Sequence, residues 1–159
     1  MSPRLNAPAL APAFYKAYYD FSQALKKGTL GDTLTDLVHI RASQINGCAF
    51  CLDMHVKEAT IHGERALRLH HLAIWRESPL FSPRERAALA FTESLSRLGE
   101  HGVPDDIYEE ARMHFSEKEL TELAFVVVEI NGWNRLSIAF RNQPGTMDAM
   151  LGLTAAGLS

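Results

Sequence analysis

Cys48 and Cys51 are the only cysteines in the 159-residue chain, and His55 follows four residues after the second. On a helix, at about 100° per residue, Cys51 falls near roughly 300° and His55 near roughly 340° from Cys48. Both thiols and the imidazole then share one face. A thiol attacks only as its thiolate. Two influences favour ionisation here. The positive end of a helix beginning at Cys48 acts on that residue, and His55, one turn past Cys51, is placed to take the Cys51 proton. The dipole effect is usually below about 1 kcal/mol at an exposed site, whereas a base one turn away is specific, so Cys51 is the expected nucleophile. A thiolate meeting a peroxide becomes a sulfenic acid, which a neighbouring thiol resolves to a disulfide. Two other readings compete. Cys48, Cys51 and His55, with His62 or His39 as a fourth ligand, form a candidate zinc set, although structural zinc takes four closing ligands and the chain has no second cysteine pair. Alternatively, the cysteines are small core residues.

The elements that must hold this stretch are helical throughout, since no segment alternates convincingly with period two. Residues 1–12 contain Pro3, Pro8 and Pro12 and are expected to form an extended arm. A helix is expected from Ala13 to Lys27, stopped by Gly28. The next runs from Thr33 to Ile45, with Thr33 and Asp36 as a capping-box pair, and breaks at Asn46-Gly47. The cysteine helix runs from Cys48 to about His62. A fourth segment covers Glu64–Trp75. Ser82-Pro83-Arg84-Glu85 and Ser116-Glu117-Lys118-Glu119 are helix starts with Ser at the N-cap and Glu at N3. The first opens a helix to about Leu98, and the second a long one to about Asn142, with a candidate bend at Asn131-Gly132. Between them lies a short helix from Pro104 to about Phe115. The domain is therefore expected at residues 13–142, all-α and built from six to seven helices, with a C-terminal tail at 143–159.

Position by position, the cysteine helix is apolar over much of its circumference. Phe50, Met54 and Ile61 lie opposite the cysteines, and Asp53, Lys57 and Thr60 make a narrow polar stripe. Such a helix is buried on two sides, and one side is a candidate for cover by another subunit. On the preceding helix, Asp36, Ser43 and His39 form a polar stripe able to face the cysteines. Asp36 is a candidate to orient His55 or relay its proton, or else a simple cap. Trp133 and Asn134 read as packing and polar satisfaction, and His62 as a helix-end residue.

Composition narrows the function classes. The chain is 47% hydrophobic and 22% charged, with a net charge of −3, the profile of an ordinary globular domain. It has no basic stripe suited to nucleic acid and no apolar run long enough for a membrane span. The first residues lack the long apolar stretch of a secretory signal, so none is expected. A cytoplasmic setting with no cofactor or metal is the expectation, and two cysteines there read as reactive rather than as a staple.

The stretch Arg41-Ala42-Ser43-Gln44-Ile45-Asn46-Gly47-Cys48-Ala49-Phe50-Cys51-Leu52-Asp53-Met54-His55 resembles the core motif of the alkylhydroperoxidase D-like (AhpD-like) proteins of the carboxymuconolactone decarboxylase superfamily. Trp75 to Phe81, Glu85 to Ala90, and Asn131 to Leu136 resemble the segments that follow in one subgroup. The resemblance spans roughly residues 10–145. It implies an all-helical fold assembling into trimers or hexamers, and reduction of a small hydroperoxide with electrons from a dithiol donor such as a lipoylated protein. By position it makes Cys51 the peroxidatic thiol, Cys48 the resolving thiol and His55 the proton-relay histidine. Asp36, twelve residues before Cys48, stands where the family has a relay glutamate. Phe50 stands where founding members have a second active-site histidine. Lactone decarboxylation, the superfamily's other named activity, and a non-catalytic thiol sensor or oligomeric module are the alternatives.

Overall fold

The computed structural model describes residues 2–158. Among them are nine α-helices and no strand: α1 (Ala7–Leu10), α2 (Pro12–Leu25), α3 (Asp32–Asn46), α4 (Ala49–Ile61), α5 (Ala66–His71), α6 (Pro83–Ser96), α7 (Asp105–His114), α8 (Glu117–Phe140) and α9 (Asp148–Leu151). Tight 3₁₀ turns at Leu72–Ile74 and Leu153–Ala156 complete it. The all-α expectation holds. Six helices are ten residues or longer, and α1, α5 and α9 are short additions.

Helix α3 is the hub, packing against α4, α6 and α8. Its Leu34 and Val38 join Ala88 and Phe91 of α6, Ala111 of α7, and Leu123 and Val127 of α8 in one core. Leu37 and Ile40, a turn apart on another face, meet Ala59 of α4 together with Leu72, Trp75, Phe81 and Leu89. Burial of each such side chain contributes about 1.5–3 kcal/mol, so the position of α4 is set by apolar contact before any polar group acts.

The expected capping boxes at Ser82/Glu85 and Ser116/Glu119 are both formed. The one at Thr33 is not. α3 starts at Asp32 behind Gly31, whose φ of 82° suits glycine, and Asp36 is buried rather than capping. At the N-terminus the arm contains a one-turn helix capped by Asn6. The segment expected as one helix at Glu64–Trp75 is α5 followed by a 3₁₀ turn. α8 runs through Asn131-Gly132 without a break. Gly132 serves close packing instead: a Cβ there would lie 2.0 Å from the Tyr18 hydroxyl, which donates to the Glu129 carbonyl at 2.7 Å.

The second covered side of α4 also differs from expectation. The chain's own C-terminal segment lies on it, with Leu153 buried. Lys57 of the polar stripe is buried between Asp53 at 2.9 Å and Asp148 of α9 at 2.7 Å. The Gly145 amide donates to Asp53 at 3.0 Å.

Candidate active site

Helix α3 ends in a Schellman turn. Gly47 takes a φ of 70°, its N–H reaches Gln44 O, and the Cys48 N–H reaches Ser43 O at 3.0 Å. Glycine is favoured at such an angle, and the turn redirects the chain straight into α4. Behind it, Asn46 Nδ2 donates to Asn131 Oδ1 and Asn134 Oδ1, each at 2.9 Å. The fully buried Asn134 in turn donates to Ser43 Oγ at 3.1 Å. Two asparagines of α8 thus clamp the turn that presents the cysteines, confirming Asn134 as a residue of polar satisfaction.

Cys48 is the N-cap of α4, one residue ahead of the helix proper, and its Sγ accepts the Cys51 N–H at 3.2 Å. The two cysteines form a disulfide, their Cα atoms 5.4 Å apart. Both are buried, in a small apolar nest with Ala42 and Ile130, against which Phe50 and Trp133 pack.

His55 is buried one turn beyond Cys51. Its Nδ1 lies 2.7 Å from Glu58 Oε2 on the same helix, and Glu58 also accepts from Lys26, the C-cap of α2, at 3.0 Å. The His55 ring lies against the ring of His39 from α3, with centroids 4.4 Å apart. His39 Nε2 is 3.5 Å from Glu129 Oε2 of α8. Glu129 is also held by Ser22 Oγ, which accepts from Trp133 Nε1 at 2.8 Å. Burial, then the neighbouring His39, pushes the His55 imidazole below its ordinary pKa. Burial alone would raise Glu58, but His55 and Lys26 outweigh it and hold the carboxyl well below the usual carboxylate range. Burial, then Glu129, pushes the Tyr18 hydroxyl up to about 12, so it remains a donor.

Cys51 and His55 lie a turn apart on α4, while Cys48, expected as the first helical residue, is the N-cap and joins Cys51 through the disulfide. Asp36 is placed differently. Its carboxylate hydrogen-bonds to His62 Nδ1 at 2.7 Å, and the partner of His55 is Glu58. Asp36 still borders the site, because it lines a cavity of about 80 Å³ together with Lys26, His39, Glu58 and His62. His62 is the C-cap of α4 and ties that end to α3. Among the described residues no group of three or more His, Cys, Asp or Glu is arranged to hold a metal.

Glu58 and Glu129 were not singled out from sequence. Glu58 was legible, since a carboxylate three residues after a histidine shares its helical face. Glu129 gave a weaker signal, a lone acid closing the apolar run of α8.

The sequence profile of the carboxymuconolactone decarboxylase family matches residues 12–94. The chain belongs to the carboxymuconolactone decarboxylase family. Within the family it is AhpD-like. Its fold matches that of a protein of unknown function from Agrobacterium tumefaciens, described as a candidate antioxidant defence protein AhpD. The two are 36% identical, with a TM-score of 0.88 over 91% of this chain and 99% of that one. The uncharacterized protein YdfG of Bacillus subtilis is 38% identical over 90% of this chain and 97% of its own length. The debrominase Bmp8 shares the fold at 19% identity, with a TM-score of 0.79 over 93% of this chain and 77% of that one. The helical frame of this chain is therefore also the frame of an enzyme, the debrominase.

Proposed function

We propose that this protein is a thiol-dependent hydroperoxide reductase that cycles through the Cys48–Cys51 disulfide. The observation that carries this reading is the cysteine pair at disulfide-bonding distance at the start of α4, with a buried imidazole one turn beyond. In the reduced enzyme the Cys51 thiolate attacks the terminal peroxide oxygen. The O–O bond breaks, a Cys51 sulfenic acid forms, and the leaving alkoxide takes the proton that His55 accepted from the thiol. The Cys48 thiol then displaces water from the sulfenic acid and closes the disulfide. A dithiol donor, such as a lipoylated protein, reopens it by two exchanges and leaves as its own disulfide.

In this reading Cys51 is peroxidatic, Cys48 resolving, and His55 the base and acid. Glu58 fixes the His55 ring. Asp36 enters the relay through the cavity it shares with Glu58 and His39, rather than by contact with His55. The setting is cytoplasmic. Self-association as a trimer or hexamer belongs to the same reading, supported by exposed apolar residues along α8, among them Phe125, Val128 and Ile138.

The test is dithiol-coupled peroxide consumption with cumene hydroperoxide and hydrogen peroxide. Cys51→Ser is expected to abolish it. Cys48→Ser is expected to reduce a single equivalent of peroxide and accumulate a sulfenic acid that dimedone captures. Full turnover by Cys51→Ser overturns the proposal, and disulfide formation without turnover reduces the protein to a thiol sensor.

A further inference from the structure

Glu129 is an unusual residue for its place. It lies in the apolar middle of α8 and is 5% exposed. Oε1 is engaged by Ser22, but Oε2 has no hydrogen-bond partner among the described residues. Its nearest basic group is His39 Nε2 at 3.5 Å, too long for a full hydrogen bond. A buried carboxylate oxygen left in this state is costly. It is satisfied when His39 carries a proton on Nε2 and closes the gap by a few tenths of an ångström. His39 in turn touches the His55 ring. The chain Glu129–His39–His55 therefore connects a buried negative charge to the imidazole that serves Cys51.

The remaining groups around the pair fix the charge count. From α4 come Glu58, on His55, and the His62 cap. From α3 comes Asp36, paired with His62. From α2 come the neutral hydroxyls of Ser22 and Tyr18, and from its C-cap Lys26, paired with Glu58. Glu58 is paired with Lys26 and Asp36 is hydrogen-bonded to His62, which leaves Glu129 as the carboxylate of this group with an oxygen that has no hydrogen-bond partner among the described residues. Burial alone would raise its carboxyl, but His39 and Ser22 outweigh that and keep it ionised.

We propose that Glu129 is a positioning residue of the thiol site: acting through His39, it supplies the negative charge that holds an imidazolium on the His39–His55 pair while Cys51 is ionised. This rests on Cys51 being the reacting thiol. The Cys51 S–H gives its proton to the imidazole pair, leaving thiolate and imidazolium. On attack the S–O bond forms, the peroxide O–O bond breaks, and the same proton passes to the departing oxygen. Two rings in contact disfavour two charges.

The experiment is the rate of iodoacetamide alkylation of reduced Cys51, in a Cys48→Ser background, as a function of pH. Glu129→Gln keeps the shape and removes the charge. It is expected to move the alkylation midpoint up by about one pH unit, hence about tenfold slower reaction on the acid side. In a His39→Gln background the same Glu129→Gln change is expected to shift nothing further, because the link is already cut. Unmoved profiles in the folded Glu129→Gln protein overturn the proposal, and so does an undiminished Glu129→Gln shift without His39. Should these variants not fold, imidazole NMR of the reduced wild type decides. Both rings are expected to report the same two coupled steps, and independent single titrations overturn the assignment. Dithiol-coupled peroxide consumption, measured on the same Glu129 and His39 proteins with Cys48 restored, keeps the two claims apart. A shifted alkylation profile in a protein that consumes no peroxide upholds the role of Glu129 and overturns the peroxidase reading.

Discussion

Glu58 is the residue that fixes His55, and its effect has a definite sign with pH. Its carboxyl is held below the ordinary range in the folded chain, so the stability it contributes is present above the unfolded value of about 4.3 and is lost as pH falls through the folded one. Glu58→Gln is expected to cost about 1–3 kcal/mol near pH 7, with the difference from wild type closing below about pH 4, as read by urea denaturation across pH. His55 acts in the same direction at higher pH. Its folded pKa is depressed, so its contribution is complete above about 6.5 and declines as pH falls below that. At this scale the sequence was a partial guide. Cys48, Cys51, His55 and Glu58 share one helix, so spacing alone relates them. Asp36 and His39 share a different helix, and which of them meets His55 depends on how α3 crosses α4. That crossing gave Asp36 to His62 and His39 to His55.

Among the elements, the strongest local signals were read correctly. Ser-x-x-Glu starts and the Asn46-Gly47 stop rest on hydrogen bonds within a few residues, and all three formed. The C-terminal segment resembles a tail in sequence because its α-helix is four residues long, too short to show a periodic face. It is anchored by tertiary contacts instead, chiefly Leu153 and the Lys57–Asp148 pair on α4. Leu153→Ala is expected to cost about 2–5 kcal/mol, read as a lower denaturation midpoint. Gly132 has a packing role that is hidden in sequence for a related reason. In sequence it resembles a hinge, whereas its bare Cα is what lets the Tyr18 hydroxyl of α2 reach the α8 backbone.

For the molecule as a whole, composition and periodicity gave the helical class, and the motif gave the family, because both are carried by many residues at once. The covered sides of α4 were legible only as sides. Their occupants, α3 and α8 on one and the C-terminal segment on the other, are a matter of chain path. That path also sets one practical property. Of the two tryptophans, Trp133 packs on the nest that holds the disulfide, while Trp75 belongs to another core, with its Nε1 on Glu93. A disulfide beside an indole quenches its emission, so the protein carries an optical gauge of its own oxidation state. Reducing the pair is expected to brighten the intrinsic fluorescence of the unlabelled protein, and Trp133→Phe to silence the change, which would let each half of a thiol cycle be timed directly in a stopped-flow cell.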